Sequence, residues 1–208
     1  MKTTFTLSAA LALYMLFGAS VVHATLTPIE TVKATVVTMM GILDDPMYQE
    51  PGMSDARRTA LETIIRDAVH YREMARRSLG VTWVVLSDSE QQRFSELFVE
   101  VVRDGVASRM NTYCETKVRY LGERQDGNFA EVRTLFQRDK EDTAIDLRLV
   151  NESGRWLMYD AVIDGVRLVE NYRSQFVQVM KQIAYAGLIS RIEAMTLLPK
   201  TFERTNAP

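Results

Sequence analysis

The stretch Gly154–Met180, GRWLMYDAVIDGVRLVENYRSQFVQVM, decides how the chain folds. Trp156 to Ile163 is short and rich in β-branched, aromatic and other apolar side chains, which reads as a strand. Gly165 punctuates it. Beyond it, Leu168, Tyr172, Phe176, Val179, Met180 and Ile183 recur at helical spacing, with Glu170, Ser174 and Gln178 on the opposite face.

Working upstream, the same strand grammar runs back to about Thr116. Val118 and Tyr120, then Ala130, Val132 and Phe136, then Ile145, Leu147 and Leu149, then Trp156, Met158 and Val162 mostly alternate with polar neighbours. Asp126-Gly127, Asp139 to Asp142 and Ser153-Gly154 supply turn chemistry between the runs, so the segment predicts an antiparallel four-strand meander. An apolar sheet face requires cover. The terminal helix pair provides part of it, its second member carrying Leu188, Ile189, Ile192 and Met195.

Before Thr116 the pattern is helical. Thr27-Pro28-Ile29-Glu30 is a capping box with proline at the first helical position. It opens a helix with Ile29, Val32, Val36, Met40 and Leu43 on one face, ended by Asp44-Asp45-Pro46. Ser54 is the expected cap of a second helix, with Leu61, Ile64, Ile65 and Ala68 in its stripe. A third piece runs from Tyr71 to a glycine C-cap at Gly80. Val81 to Leu86 is an apolar run that periodicity assigns to neither helix nor strand. Ser87-Asp88-Ser89-Glu90 is a second capping box, opening the longest helix. Its stripe of Phe94, Leu97, Phe98, Val101, Val102, Val106 and Met110 reads either as plain core or as lining for an apolar ligand. The fold class expected is α+β, an antiparallel sheet of about four strands wrapped by about six helices. The helical lobe (25–113) and the sheet with its C-terminal helices (114–198) form one unit, and 199–208 is a frayed tail.

Composition excludes several functions. With 47% hydrophobic and 25% charged residues the chain is globular rather than disordered. A formal charge of −2 leaves no footprint for nucleic acid. Residues 1–24 read as a signal peptide: Lys2, an apolar Leu7–Phe17 region too short to span a bilayer, and Val22-His23-Ala24 ahead of cleavage before Thr25. The single cysteine, Cys114, forms no internal disulfide.

Catalytic signatures are missing: the sequence contains no HExxH, CxxC, GxSxG, P-loop or GxGxxG. Past the leader, His70 is the one histidine. Asp160, beside Tyr159, is the strongest acid candidate. If Tyr159 faces solvent, alternation puts Asp160 on the apolar side with Met158 and Val162, where an unpaired carboxylate is costly and its pKa rises. A structural hydrogen-bond anchor is the plainer reading. Asp44 and Asp45 near Asp55 read as a helix stop and solvated loop.

The wording W-x-x-Y-D-x-x-x-x-G-V (Trp156, Tyr159, Asp160, Gly165, Val166) followed by Asn171-Tyr172-Arg173-Ser174-Gln175-Phe176 resembles the end of the MlaC family, the toluene-tolerance auxiliary components of ABC transporters. Upstream, Met74, Ala75, Arg76, Leu79 and Gly80, then Ser87, Glu90, Gln91 and Phe94, match the central segment of that family, and Gly187 to Ile189 match its end. The chain departs in having Arg167 where serine is usual, and Ile183-Ala184-Tyr185 where a glycine-containing turn is common.

The resemblance implies a twisted sheet in a cystatin-like or nuclear-transport-factor-like roll, with an apolar pocket between sheet and helices that takes lipid tails. It implies a periplasmic phospholipid carrier, partnered by a membrane ABC transporter complex and an outer-membrane lipoprotein complex, without cofactor or catalytic residues. The physical need is plain: about thirty methylenes of a diacyl lipid, each worth roughly 0.8 kcal/mol, do not cross water unaided. From the alternation and the stripes, the expected lining is Ile145, Leu147, Leu149, Met158 and Val162 from the sheet, Phe94, Phe98 and Val102 from the long helix, and Tyr172 and Phe176 from the next. The competing readings are an enzyme on the same roll acting on an apolar substrate, a carrier of hopanoid or other polycyclic lipid, and an adaptor that binds the transporter without carrying lipid.

Overall fold

In the computed structural model, which describes residues 26–110, 116–138 and 141–197, the expected meander is present. Strands β1 (Lys117–Asp126), β2 (Phe129–Gln137), β3 (Thr143–Glu152) and β4 (Arg155–Ile163) pair antiparallel in chain order, and a two-residue β5 (Val166–Arg167) folds back on β4. The leader 1–24 with its cleavage site, Cys114, Asp139 and the tail 199–208 lie outside the described residues, as do the side chains of Val106 and Met110.

Register assigns Ala130, Val132, Thr134, Ile145, Leu147 and Leu149 to one face, and Phe129, Glu131, Arg133, Asp146, Arg148 and Val150 to the other. Both faces are covered, in different places. Helix α1 (Pro28–Asp44) lays Val32 and Val36 on the first face, against Ala130, Val132, Leu149 and Trp156. After the one-turn α2 (Pro46–Gln49), α3 (Ser54–Ala68) packs Leu61 and Ile65 with Leu43 of α1. On the second face, α4 (Tyr71–Leu79), α5 (Val81–Val85), α6 (Asp88–Met110) and α7 (Leu168–Leu197) assemble the largest core, which takes Tyr159 and Val150 from the sheet.

Two bulges set which strand half serves which face. In β1 the register skips Leu121, and in β4 it skips Tyr159. An inserted residue breaks the alternation, so the side chains beyond it change face. Met158 therefore points to the α1 side, whereas Asp160 and Val162, paired with Arg148 and Asp146, belong to the other side. This corrects the sequence expectation that Met158, Asp160 and Val162 share a face with Tyr159 in solvent: Tyr159 and Asp160 are both buried.

Local chemistry explains most boundaries. Thr27 Oγ1 accepts the Glu30 N–H at 3.3 Å while the Glu30 carboxylate accepts the Thr27 N–H at 2.8 Å, and Ser87 and Glu90 repeat the arrangement at 3.4 and 2.8 Å. Ser54 is not a cap: Met53 holds the N-cap position without a side-chain bond, and Ser54 is the first helical residue. Asp45 ends α1 and caps α2, its Oδ1 accepting the Met47 N–H at 2.8 Å, in keeping with its reading as a helix stop. The run from Val81 is helical, with Trp83 buried beneath Arg72. Helix α7 breaks at Ile183 and Ala184, the latter at φ 57° and ψ −176°. The break brings Ile183 so close to Gly187 that a Cβ there would stand 2.6 Å from the Ile183 Cβ. The terminal helix pair of the sequence reading is this kinked helix.

Candidate functional site: an apolar cleft between helix and sheet

The valine stripe of α1 faces the sheet, and the neighbouring face of that helix carries only small side chains. Thr31, Ala34, Thr35 and Thr38 leave unfilled space against the end of α3 (Ile64, Asp67, Ala68) and the start of β4 (Gly154 to Leu157). The result is a cleft of about 500 Å³, also lined by Leu26, within the range of pockets that hold small organic ligands. Thr35 and Thr38 donate their hydroxyls to the carbonyls of Thr31 and Ala34, at 2.9 and 2.8 Å. Paired in this way, they place no unmet polar demand on an apolar guest. Trp156 closes the floor as part of the α1–sheet core. The link between α3 and α4 is stitched to the edge of β4, the His70 N–H donating to the Met158 carbonyl at 2.8 Å. Charge sits at the lip: Arg155 and Asp67 are both exposed.

The expected lining residues fall into separate groups. Phe94, Phe98, Val102, Tyr172 and Phe176 come together in the large core. Their rings pack on one another, Phe94 stacked on Phe98 at 5.7 Å and Phe176 edge-on to both, with Tyr172 edge-on to Phe98 at 5.1 Å. Leu147, Leu149 and Met158 belong instead to the α1–sheet core, which borders the cleft through Trp156. Ile145 and Val162 are half-buried on opposite faces. The residues that do line the cleft carry a legible signal in retrospect, a run of alanine and threonine at helical spacing beside an apolar stripe.

Asp160 has a structural partner. Its Oδ1 accepts the N–H of Val169, in the first turn of α7, at 3.0 Å, and that of Ala161 at 2.9 Å, and Arg148 Nη1 lies 3.7 Å from its Oδ2. Burial pushes its pKa up, while these hydrogen bonds and Arg148 pull in the other direction. Across the molecule Glu123 does the same for α1, its Oε2 accepting the Ile29 N–H at 2.7 Å. Strand carboxylates thus hold the positive N-terminal ends of helices on both faces. His70 caps α4, its Nδ1 accepting the Glu73 N–H at 3.1 Å, with Nε2 3.4 Å from Glu152. Among the described residues no group of three or more His, Cys, Asp or Glu side chains is placed to hold a metal ion, and no helix is long and apolar enough to cross a membrane.

The class is thereby defined: an α+β protein with helices on both faces of an antiparallel meander and an open, largely apolar cleft between helix and sheet. The family model described as MlaC protein matches residues 33–194, and the chain belongs to that family. The intermembrane phospholipid transport system binding protein MlaC of Haemophilus influenzae is 24% identical over 154 residues, 69% of this chain and 72% of that protein. A phospholipid-binding protein from Ralstonia solanacearum, solved in complex with a phospholipid, shares the fold with a TM-score of 0.70 at 22% identity, over 80% of this chain and 94% of that one.

Proposed function

We propose that the chain is a periplasmic carrier in intermembrane lipid transport, taking the acyl chains of a phospholipid into the cleft beneath α1 and exchanging them with a membrane ABC transporter complex. The observation that carries this reading is the cleft itself: apolar and paired groups inside, charge only at the lip. A lipid requires that arrangement, since its tails must leave water while its head stays wet. The relative's name and the phospholipid in the structural neighbour support the same ligand, and the leader-like residues 1–24 support export.

In this reading Leu147, Leu149 and Met158 extend the cleft wall along the sheet. Phe94, Phe98, Val102, Tyr172 and Phe176 reach a tail only where their cluster parts to admit it, and Ile145 and Val162 flank the two faces. No covalent step is required of any residue. Asp160, the acid an enzyme on this roll would use, is engaged in holding the first turn of α7.

The test is mass spectrometry of protein purified from its natural compartment without detergent. The expected result is a phospholipid bound to the folded chain. Protein that purifies empty, and takes no lipid from vesicles, overturns the carrier reading. A polycyclic lipid in its place establishes the hopanoid alternative. Conversion of the bound lipid, lost in Asp160→Asn while binding persists, establishes the enzyme.

A further inference from the structure

The lip of the cleft holds opposite charges that are not spent on each other or on other ions. Arg155 opens β4 and donates through Nη2 to the backbone carbonyl of Asp67 at 3.4 Å. That long bond uses one of the five guanidinium donors. The register partner of Arg155 across the hairpin is Glu152, but the Glu152 carboxylate sits 3.4 Å from His70 Nε2. The Asp67 carboxylate, at the end of α3, makes no hydrogen bond or ion pair among the described residues. Both side chains are exposed, and both residues line the cleft.

We infer that Arg155 and Asp67 read the headgroup of the guest, and that the class they select is a zwitterionic phospholipid. A phosphodiester accepts charge-assisted, bidentate bonds from a guanidinium. A primary ammonium, tethered to that phosphate by a short ethyl spacer, finds its counter-ion in Asp67. An anionic glycerol headgroup satisfies Arg155 but leaves the Asp67 carboxylate facing a polyol and a phosphate, a like-charge juxtaposition that discriminates against it. A lone cation at the lip would favour anionic lipids; the carboxylate beside it reverses the preference. This rests on the carrier reading and goes beyond it in naming the headgroup.

The full chain, delipidated, is incubated with vesicles of equal phosphatidylethanolamine and phosphatidylglycerol, re-isolated, and its lipids counted by mass spectrometry. The wild type is expected to enrich phosphatidylethanolamine by about two- to fivefold, the discrimination of an exposed charge pair. Asp67→Asn is expected to bring the ratio to that of the vesicles. Arg155→Gln is expected to lower total phospholipid while leaving uptake of diacylglycerol, which has no phosphate, unchanged. A wild-type ratio equal to the vesicles, or ratios and totals indifferent to both substitutions, overturns the inference with the carrier reading intact. Failure of the wild type to take any lipid overturns both. Inorganic phosphate serves as the control: if it binds through Arg155 while phospholipid uptake ignores Arg155→Gln, the arginine is a free-anion site and the headgroup assignment falls. Circular dichroism confirms that the variants fold.

Discussion

The guanidinium of Arg173 lies over the α-carbon of Gly80, so that a Cβ on that glycine would stand 2.7 Å from an Nη atom. Gly80 itself has φ 57° and ψ −123°, a conformation open to glycine alone, and it turns the chain from α4 into α5. Gly80→Ala is therefore expected to lose about 1–3 kcal/mol of stability. The arginine is the far end of a flexible side chain and can move, so the backbone carries most of the loss. In urea titrations, adding Arg173→Ala to Gly80→Ala should recover only a small part; full recovery would show that crowding is the cause.

Ala184 is the complementary case, an alanine where the backbone asks for glycine. Ala184→Gly relieves strain at the α7 kink but gives the unfolded chain more freedom, an opposing effect of about 0.4–1 kcal/mol. A net gain of about 1 kcal/mol is expected, read as a rise in melting temperature of about 2–4 °C. Gly187→Ala, which drives a methyl into Ile183, should move the temperature the other way.

Filling the cleft separates binding from stability. Ala34 is exposed and lines the cleft, so Ala34→Trp should reduce bound lipid severalfold with a stability change within about 0.5 kcal/mol, as for most surface positions. Val102 is 3% exposed inside the aromatic cluster, and Val102→Trp should lose about 1–3 kcal/mol by overpacking. Lipid counted per mole of folded protein, alongside urea midpoints, distinguishes the two. If Ala34→Trp keeps full occupancy, the tails lie elsewhere.

The buried carboxylate of Asp160 makes a signed pH prediction. Its pKa is raised above the ordinary 3.8, so the folded state holds this proton at pH values where the unfolded chain has released it. Its contribution to stability is present below 3.8 and is lost as pH rises through the higher folded value. Glu73 works oppositely: burial pushes its pKa up, the hydrogen bonds and charges of Arg76 and Arg77 together pull it below the ordinary range, and its contribution is lost as pH falls. Asp160→Asn keeps an oxygen for the Val169 N–H and removes the titration. Relative to wild type, the variant should therefore gain stability as pH rises above the ordinary 3.8, seen in paired urea midpoints. A difference independent of pH would show that the pKa is not raised.

What the sequence disclosed was local. The Thr27–Glu30 and Ser87–Glu90 boxes hold their partners three residues away, and strand alternation repeats every second residue, so both are visible without a fold. Glu123 meets Ile29 across 94 residues, and nothing near either position announces the pair. The extra residue at Tyr159 is equally silent, because a buried tyrosine in an apolar strand resembles its neighbours; missing it sends Asp160 to the wrong face. The cleft was hidden for a different reason. Aromatic stripes attract attention, and those of α6 and α7 are packed against each other, whereas space arises where side chains are small, along Thr31, Ala34, Thr35 and Thr38.

The bulges at Leu121 and Tyr159 also fix where the chain can change length. Each lies on a strand just before the carboxylate that grips a helix, Glu123 for α1 and Asp160 for α7. Deleting Tyr159 would restore regular pleating with Asp160 still opposite Arg148 and still gripping α7, at the cost of the tyrosine's place in the core. Extending the turn at Asp126-Gly127 would disturb neither grip. The two bulged strands can thus each give up the extra residue with their register kept, β2 and β3 have none to spare, and that hairpin tip is free to grow; a library of one-residue deletions scored for folding would trace the boundary.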